Sequence, residues 1–107
     1  MKLTKSEKKF IHDSCSYLID YCDATMPHAI KKNRDVKLEI QKTTEIASKI
    51  LEPNFSLEGE FGLFSIKGFV VNRLNLFLTI YEESMNKRGI KKLRKEAESI
   101  INKLSKI

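Results

Sequence analysis

The sequence is poor in residues that interrupt helices, since only four of its 107 residues are glycine and two are proline. It has no tryptophan and no long uninterrupted apolar run. Its most apolar stretch, FVVNRLNLFLTIY, is broken by Asn72, Arg73 and Asn75 and falls short of the roughly twenty apolar residues that cross a membrane. The first residues lack the features of a signal peptide. These absences favour a helical protein that stays in the cytoplasm.

Side chains typical of catalytic and metal sites are also scarce. The two histidines, His12 and His28, and the two cysteines, Cys15 and Cys22, have no spacing typical of a metal site. No glycine-rich phosphate loop, G-x-S-x-G or H-E-x-x-H is present. On one helix the two cysteines would lie roughly 10 Å apart, too far for a disulfide, so we interpret them as core residues. We expect a non-enzymatic protein without metal or cofactor.

Positive charge is concentrated at the C-terminal end of the chain. Residues 1–86 carry twelve basic and twelve acidic residues, whereas residues 87–107 carry eight basic and two acidic residues. The whole excess of +6 therefore lies in the last segment, which includes the basic stretch NKRGIKKLRK. A field of one sign attracts acidic protein surfaces, anionic lipid or nucleic-acid phosphates.

Four segments have the apolar periodicity of amphipathic helices. The first begins with a capping box formed by Thr4 and Glu7 and ends before Pro27. After a polar connection, HAIKKNRD, the second helix is capped by Asn33 or Asp35. The predicted buried faces of these helices are Ile11, Cys15, Leu18, Cys22 and Met26, and then Val36, Ile40, Thr43, Ala47 and Ile50.

The segment that follows the second helix, PNFSLEGEFGLFS, is rich in phenylalanine and leucine. It is more apolar than a solvated loop requires, so it either packs on the helices or presents an apolar patch to a partner. We favour packing, because aromatic side chains in such segments are usually buried.

The third and last helices complete the pattern. The third, from about Ile66 to Lys87, is apolar on most sides, and we interpret Gly89 as its left-handed C-terminal cap. The last helix is amphipathic, with its apolar positions at Ile90, Leu93, Ala97, Ile100, Leu104 and Ile107. Four amphipathic helices can bury their apolar faces by converging on one core. We therefore predict one all-α domain over residues 1–107, a left-handed antiparallel four-helix bundle.

The run FVVNRLNLFLTIYEESMNKRGIKKLRKEAESIINKLSKI resembles the C-terminal half of immunity proteins that protect producers of pediocin-like (class IIa) bacteriocins, particularly the enterocin A immunity type. The similarity rests on an apolar helix containing Asn72, Arg73 and Leu74, a basic turn at Lys87 to Gly89, and a charged helix with a stripe of leucine and isoleucine. It covers about 40 of the 107 residues.

The resemblance implies a cytosolic, non-enzymatic protein that acts by binding. The implied partner is the mannose phosphotransferase permease, bound from the cytosolic side when the bacteriocin has engaged it. We expect a monomer, and a basic face also suits peripheral contact with an anionic membrane leaflet. The partner-binding residues would be Arg73, Lys87, Arg88, Lys91, Lys92, Arg94 and Lys95.

Two other classes of function remain open. The last two helices could form the helix-turn-helix of a small basic nucleic-acid-binding regulator. The length of the third helix and the lack of aromatic residues in the basic cluster argue against it. The chain could also be a phage or mobile-element protein that binds and inhibits a host protein. A solvated helix surface without any partner would explain the same basic residues.

Overall fold

The structure is a computed structural model that describes residues 3–61, 64–84 and 89–105. The elements within these ranges are α1 (Lys5–Thr25), α2 (Pro27–Lys32), α3 (Arg34–Lys49), β1 (Glu60–Phe61), β2 (Phe64–Ser65), α4 (Ile66–Ser84) and α5 (Ile90–Ser105). The predicted all-α fold class is confirmed, whereas the left-handed four-helix bundle stays a prediction. None of the helices in the described ranges has the length and apolar character needed to cross a bilayer.

Local side-chain caps determine where α1 and α3 begin. The Glu7 amide donates to Thr4 Oγ1 (3.1 Å) and the Thr4 amide donates to Glu7 Oε1 (2.8 Å), which confirms the predicted capping box. At α3, Asn33 Oδ1 accepts from the amides of Asp35 and Val36, so Asn33 is the cap. Both caps satisfy amides that have no carbonyl partner within their helix.

The connection after α1 is helical, and its prediction as a polar connection was wrong. Pro27 ends α1 and also occupies the first turn of α2, where its fixed φ and missing N–H are well tolerated. The helix has only six residues because Asn33 leaves the helical conformation and caps α3. Six residues are too few to produce a recognisable apolar period, and the sequence pattern therefore gave no signal for α2.

The apolar connection between α3 and α4 packs on the helices in the part that can be described. Phe55 and Leu57 are half-buried against the core, as predicted. The chain then reverses in the antiparallel hairpin of β1 and β2. Gly59 precedes this hairpin with φ +120°, a backbone conformation that favours glycine. The side chains of residues 61–64 are outside the described part of the structure, so their packing stays a prediction.

The core is built around α1 and α4, because α1 packs on α3 and α4, and α4 packs on α5. The aromatic ring of Phe77 on α4 meets Phe10 and Tyr17 on α1 edge-on, at centroid distances of 6.2 Å and 5.4 Å. The predicted apolar face of α5 is buried at Ile90, Ala97, Ile100 and Leu104 and half-buried at Leu93, while Ile107 lies outside the described residues. The last helix therefore docks on the core by its apolar face, as predicted.

The predicted apolar faces of α1 and α3 are buried at one end only. The buried members are Ile11, Cys15, Leu18, Thr43, Ala47 and Ile50. The other members, Cys22, Val36 and Ile40, are half-buried, and Met26 is exposed. Amphipathic periodicity identified these faces correctly, but it carries no information on whether a neighbouring helix covers their whole length.

The predicted left-handed cap at Gly89 stays a prediction, because residues 85–88, between α4 and Gly89, lie outside the described ranges. The Gly89 carbonyl accepts the Leu93 amide (3.3 Å), so Gly89 lies at the start of α5. The predicted basic turn lies mostly in residues 85–88, outside the described part of the chain.

Candidate functional site

The described residues of the predicted partner site divide into two groups. Lys91, Lys92, Arg94 and Lys95 are exposed on α5. Arg73 is on α4 and faces α3 instead. The remaining two predicted residues, Lys87 and Arg88, lie outside the described ranges. The structure therefore does not bring the predicted site together as one surface.

Three lysines of α5 form the group that we call the cationic α5 surface: Lys91, Lys92 and Lys95. Lys91 and Lys92 are adjacent, and Lys95 follows them by four and three positions, so the three share one side of the helix. Within the described ranges none of the three has an ion-pair partner. No side chain in the described ranges forms an ion pair with them, so their charges are available to an anionic surface.

Arg94 differs from these lysines because its charge is already paired. Its Nη2 donates to Glu82 Oε2 on α4 at 2.8 Å, and both side chains are largely exposed. An exposed pair of this kind is worth about 0–1 kcal/mol. Arg94 therefore joins α5 to α4 weakly and contributes less free charge than the prediction assumed.

Arg73 does not belong to an exposed face, and this part of the prediction is corrected. Its side chain is only 14% exposed, and its guanidinium pairs with Glu39 Oε2 on α3 at 3.1 Å. It also donates to Thr43 Oγ1 (3.4 Å) and to Asn72 Oδ1, and it lies 4.8 Å from the centre of the Phe69 ring. Its Nε is buried and has no acceptor among the described residues. Arg73 therefore bridges α4 to α3.

A sequence signal for this bridge exists in hindsight. Arg73 is the only charged residue in FVVNRLNLFLTIY, and a charge within so apolar a helix requires a partner to be tolerated at low exposure. Glu39 and Thr43 are four positions apart on α3, so they present an acid and a hydroxyl on one helix face. Nothing in the sequence pairs the two segments, because Thr43 and Arg73 are 30 positions apart.

An apolar groove of about 400 Å³ lies beside this bridge, between α1, α3 and α4, and we call it the Arg73 groove. Its apolar lining consists of Leu18, Ile19, Met26, Val36, Ile40 and Leu76. Its other lining residues are Cys22, Asp35, Glu39, Thr43 and Arg73. Met26 and Leu76 are large apolar side chains that remain exposed here. The groove is the uncovered end of the α1 and α3 apolar faces, and the sequence did not reveal it.

The two cysteines are free thiols in different surroundings. Cys15 is buried, and this burial raises the pKa of its thiol to about 12 despite the opposing charge of Arg73. The pKa of Cys22 is also raised, first by its partial burial and then by Asp23. Both thiols therefore stay protonated at neutral pH, which disfavours a nucleophilic role. Cys15 is a core residue, as predicted.

His12 has a structural contact. Its Nδ1 lies 2.6 Å from the carbonyl oxygen of Ala47, so Nδ1 carries the proton and donates. Ala47 belongs to the last turn of α3, where carbonyls have no amide partner further along the helix. His12 therefore ties α1 to the end of α3, while His28 is exposed on α2. Residues 3–61, 64–84 and 89–105 contain no group of three His, Cys, Asp or Glu placed to hold a metal ion.

The arrangement thus offers two surfaces with the chemistry of binding sites. The cationic α5 surface presents unpaired charge, and the Arg73 groove presents apolar side chains beside one partly buried cation. They are built from different helix faces, so a variant can alter one without touching the other. No protein-family model matches this chain, and no curated protein or solved structure matches it significantly.

Proposed function

We propose that this protein is a cytosolic immunity protein of the pediocin-like (class IIa) bacteriocin type. It acts without catalysis, as a monomer, by binding the bacteriocin-engaged mannose phosphotransferase permease from the cytosolic side. The resemblance of residues 69–107 to that family supplies the identity of the partner. The surface that meets the partner is the cationic α5 surface.

One observation carries the proposal. The apolar face of α5 is used in the core, while Lys91, Lys92 and Lys95 are exposed and unpaired within the described ranges. A helix held rigidly in this way presents its charges in a fixed pattern, which favours recognition of an acidic protein surface by charge complementarity.

Contact with the inner membrane leaflet has a supporting role. Each basic residue near an anionic bilayer contributes about 1 kcal/mol, so the three lysines together favour weak and reversible membrane contact. Such contact raises the local concentration of the protein beside a membrane receptor. It is too weak to replace the protein partner, because stable anchoring requires further apolar insertion.

The proposal is tested by expressing the chain in a susceptible Gram-positive strain and challenging the cells with pediocin-like peptides. We expect the wild-type chain to protect against at least one of them. A variant carrying Lys91→Gln, Lys92→Gln and Lys95→Gln should lose most of this protection, because it removes the unpaired charge and leaves the buried face of α5 intact. Protein levels are compared by immunoblot.

A matched control removes three exposed lysines elsewhere, with Lys31→Gln, Lys32→Gln and Lys37→Gln on α2 and α3. This variant has the same net charge as the α5 variant and should still protect. Absence of protection by the wild-type chain against every pediocin-like peptide would refute the proposed function. Full protection by the α5 variant would refute the role of the cationic α5 surface.

The nucleic-acid alternative makes a different prediction for the same variants. Duplex DNA binding should weaken with salt by roughly 0.9 log units per log unit of salt for each neutralised phosphate. Such binding, lost in the α5 variant, would favour a regulator over an immunity protein.

A further inference from the structure

Arg73 uses only part of its hydrogen-bonding capacity. A guanidinium has five N–H donors, and those on Nη1 and Nη2 are directed to Thr43, Glu39 and Asn72. The Nε donor is buried and has no acceptor among the described residues. A buried donor without an acceptor is unfavourable, and native proteins rarely retain one. Within the described ranges only Nε is vacant, and Nε with a neighbouring terminal nitrogen forms the edge of a guanidinium that can hold both oxygens of a carboxylate.

The ion pair that occupies Arg73 is open to exchange. Arg73 is held in place by α4 and Phe69, but Glu39 is 45% exposed and can turn its carboxylate into water. A second carboxylate can then take its place on Arg73 without leaving Glu39 desolvated. Thr43 is less able to leave, since its hydroxyl also donates to the Glu39 carbonyl within α3 at 2.8 Å.

The surroundings of the pair differ on its two sides. On one side lies the Arg73 groove, whose volume of about 400 Å³ is within the roughly 300–1,000 Å³ of typical small-molecule sites. On the other side is a second concavity, of about 440 Å³, that includes the polar Ser65 and Asn72. A headgroup at Arg73 would therefore stand at the boundary between an apolar and a more polar space.

We propose that the Arg73 groove binds an acyl carboxylate, with its carboxylate on Arg73 in place of Glu39 and its apolar chain between α1, α3 and α4. One cation with a planar fork of donors matches a single carboxylate and its two oxygens. Asp35 also lines the groove and disfavours anionic groups there, so the ligand carries a single carboxylate and places it on Arg73. This inference is independent of the proposed function, because none of these residues is on α5.

An acyl chain fits the groove better than a peptide segment does. A peptide brings backbone N–H and C=O groups, and each of them needs a hydrogen-bonding partner when it is buried. Most of the polar groups in the groove are engaged with one another, as the contacts between Arg73, Glu39 and Thr43 demonstrate. An acyl chain requires only apolar contact, and Met26, Val36 and Leu76 provide it.

The test titrates the full chain with dodecanoate labelled with ¹³C at its carboxylate, kept below its micelle concentration and followed by NMR and calorimetry. Dodecanol has the same chain without the charge, and butanoate has the same headgroup without the long chain. We expect saturable binding of one dodecanoate, at least about tenfold tighter than either analogue. Equal affinity for dodecanol and dodecanoate, or binding of many molecules per chain, would overturn the proposal.

Two variants of the ion pair give opposite expected results. Glu39→Gln removes the competing carboxylate and should tighten dodecanoate binding severalfold, with no effect on dodecanol. Arg73→Met keeps the apolar stem and should weaken dodecanoate binding about tenfold. If Arg73→Met fails to fold, Glu39→Gln decides the headgroup. Leu76→Asn decides the chain, because it places a polar group in the apolar lining and should weaken the binding of both dodecanoate and dodecanol.

The control is the α5 variant that lacks Lys91, Lys92 and Lys95. Its affinity for dodecanoate should equal that of the wild-type chain, because these lysines are outside the groove. Loss of binding in this variant, or an unchanged affinity in Glu39→Gln, would contradict the assignment of the carboxylate to Arg73.

Discussion

The contact between Glu7 and Lys103 joins the first turn of α1 to the last turn of α5. Lys103 Nζ donates to Glu7 Oε1 at 2.7 Å, and the same oxygen accepts the Thr4 amide at 2.8 Å. The side chains of Glu7 and Lys103 are only 18% and 26% exposed, so solvent screens this pair less than a surface pair. One carboxylate thus both caps α1 and ties α1 to α5.

Removing this carboxylate should destabilise the protein measurably. Glu7→Gln keeps the shape of the side chain but loses the ion pair, and we expect the free energy of unfolding to fall by about 2 kcal/mol. Lys103→Met retains the cap and loses only the pair, so we expect a smaller loss of about 1 kcal/mol. The double variant should lose less than the sum of the two, since both changes remove the same contact.

The effect of Glu7→Gln should depend on pH in a defined direction. Partial burial raises the pKa of Glu7, but the hydrogen bonds from Lys103 and the Thr4 amide outweigh it, so the net pKa lies below its ordinary value of 4.5. A carboxylate whose pKa is lower in the folded state stabilises the protein fully above its unfolded pKa, and this stabilisation disappears as pH falls through the folded pKa. The difference between wild type and Glu7→Gln should therefore be full at pH 7 and shrink below about pH 4.

Urea denaturation followed by far-ultraviolet circular dichroism measures these differences, and the midpoint and slope are compared at pH 7 and pH 3.5. The control is Glu45→Gln, which removes an exposed pair with Lys49 on α3 and should change stability by less than about 0.5 kcal/mol. Equal stability of wild type and Glu7→Gln at pH 7 would refute the reasoning. So would a difference that is the same at both pH values.

Three further outcomes are expected. Leu74→Ala should lower the free energy of unfolding by about 2–5 kcal/mol because Leu74 is fully buried, whereas Leu38→Ala, at a position 46% exposed, should change it by less than about 1 kcal/mol; urea denaturation tests both. His12→Ala should cost about 1–2 kcal/mol by leaving a carbonyl at the end of α3 without its donor, and thermal denaturation measures this loss. Cys15 should react with a thiol reagent only on unfolding, while the half-buried Cys22 reacts in the native protein at a rate that increases with pH, as mass spectrometry can follow.

Features that depend on a few neighbouring residues were predictable from the sequence. The capping box at Thr4 and Glu7, the cap at Asn33, which was predicted as Asn33 or Asp35, and the break at Pro27 all involve residues within four positions of one another. The apolar stripe of α5 was predictable for a related reason, because its period is visible within sixteen residues. α2 was missed because it is shorter than the window in which a helical period can be recognised.

The candidate site could be predicted less well, since it depends on contacts between distant segments. The exposed lysines of α5 followed from helical geometry alone. Arg73 was assigned to the same exposed surface because the sequence does not reveal that Glu39 lies across from it. The Arg73 groove was missed because a periodic pattern identifies an apolar face, whereas only the packing determines whether another helix covers that face.

Two of the ion pairs between helices, Glu7 with Lys103 and Arg73 with Glu39, lie at boundaries where the helices pack less closely. α1 and α4 are the central helices. The pairs α3 with α4 and α1 with α5 pack less closely than the other neighbouring pairs of helices. Glu7 and Lys103 span the boundary of α1 and α5 with both side chains mostly buried, whereas Arg73 and Glu39 span the boundary of α3 and α4 with the acid half exposed. If Lys103 left Glu7, the Glu7 carboxylate would remain largely out of water without a partner. When Glu39 leaves Arg73, by contrast, its carboxylate returns to water. This difference makes the first pair a structural tie and leaves the second able to accept a ligand.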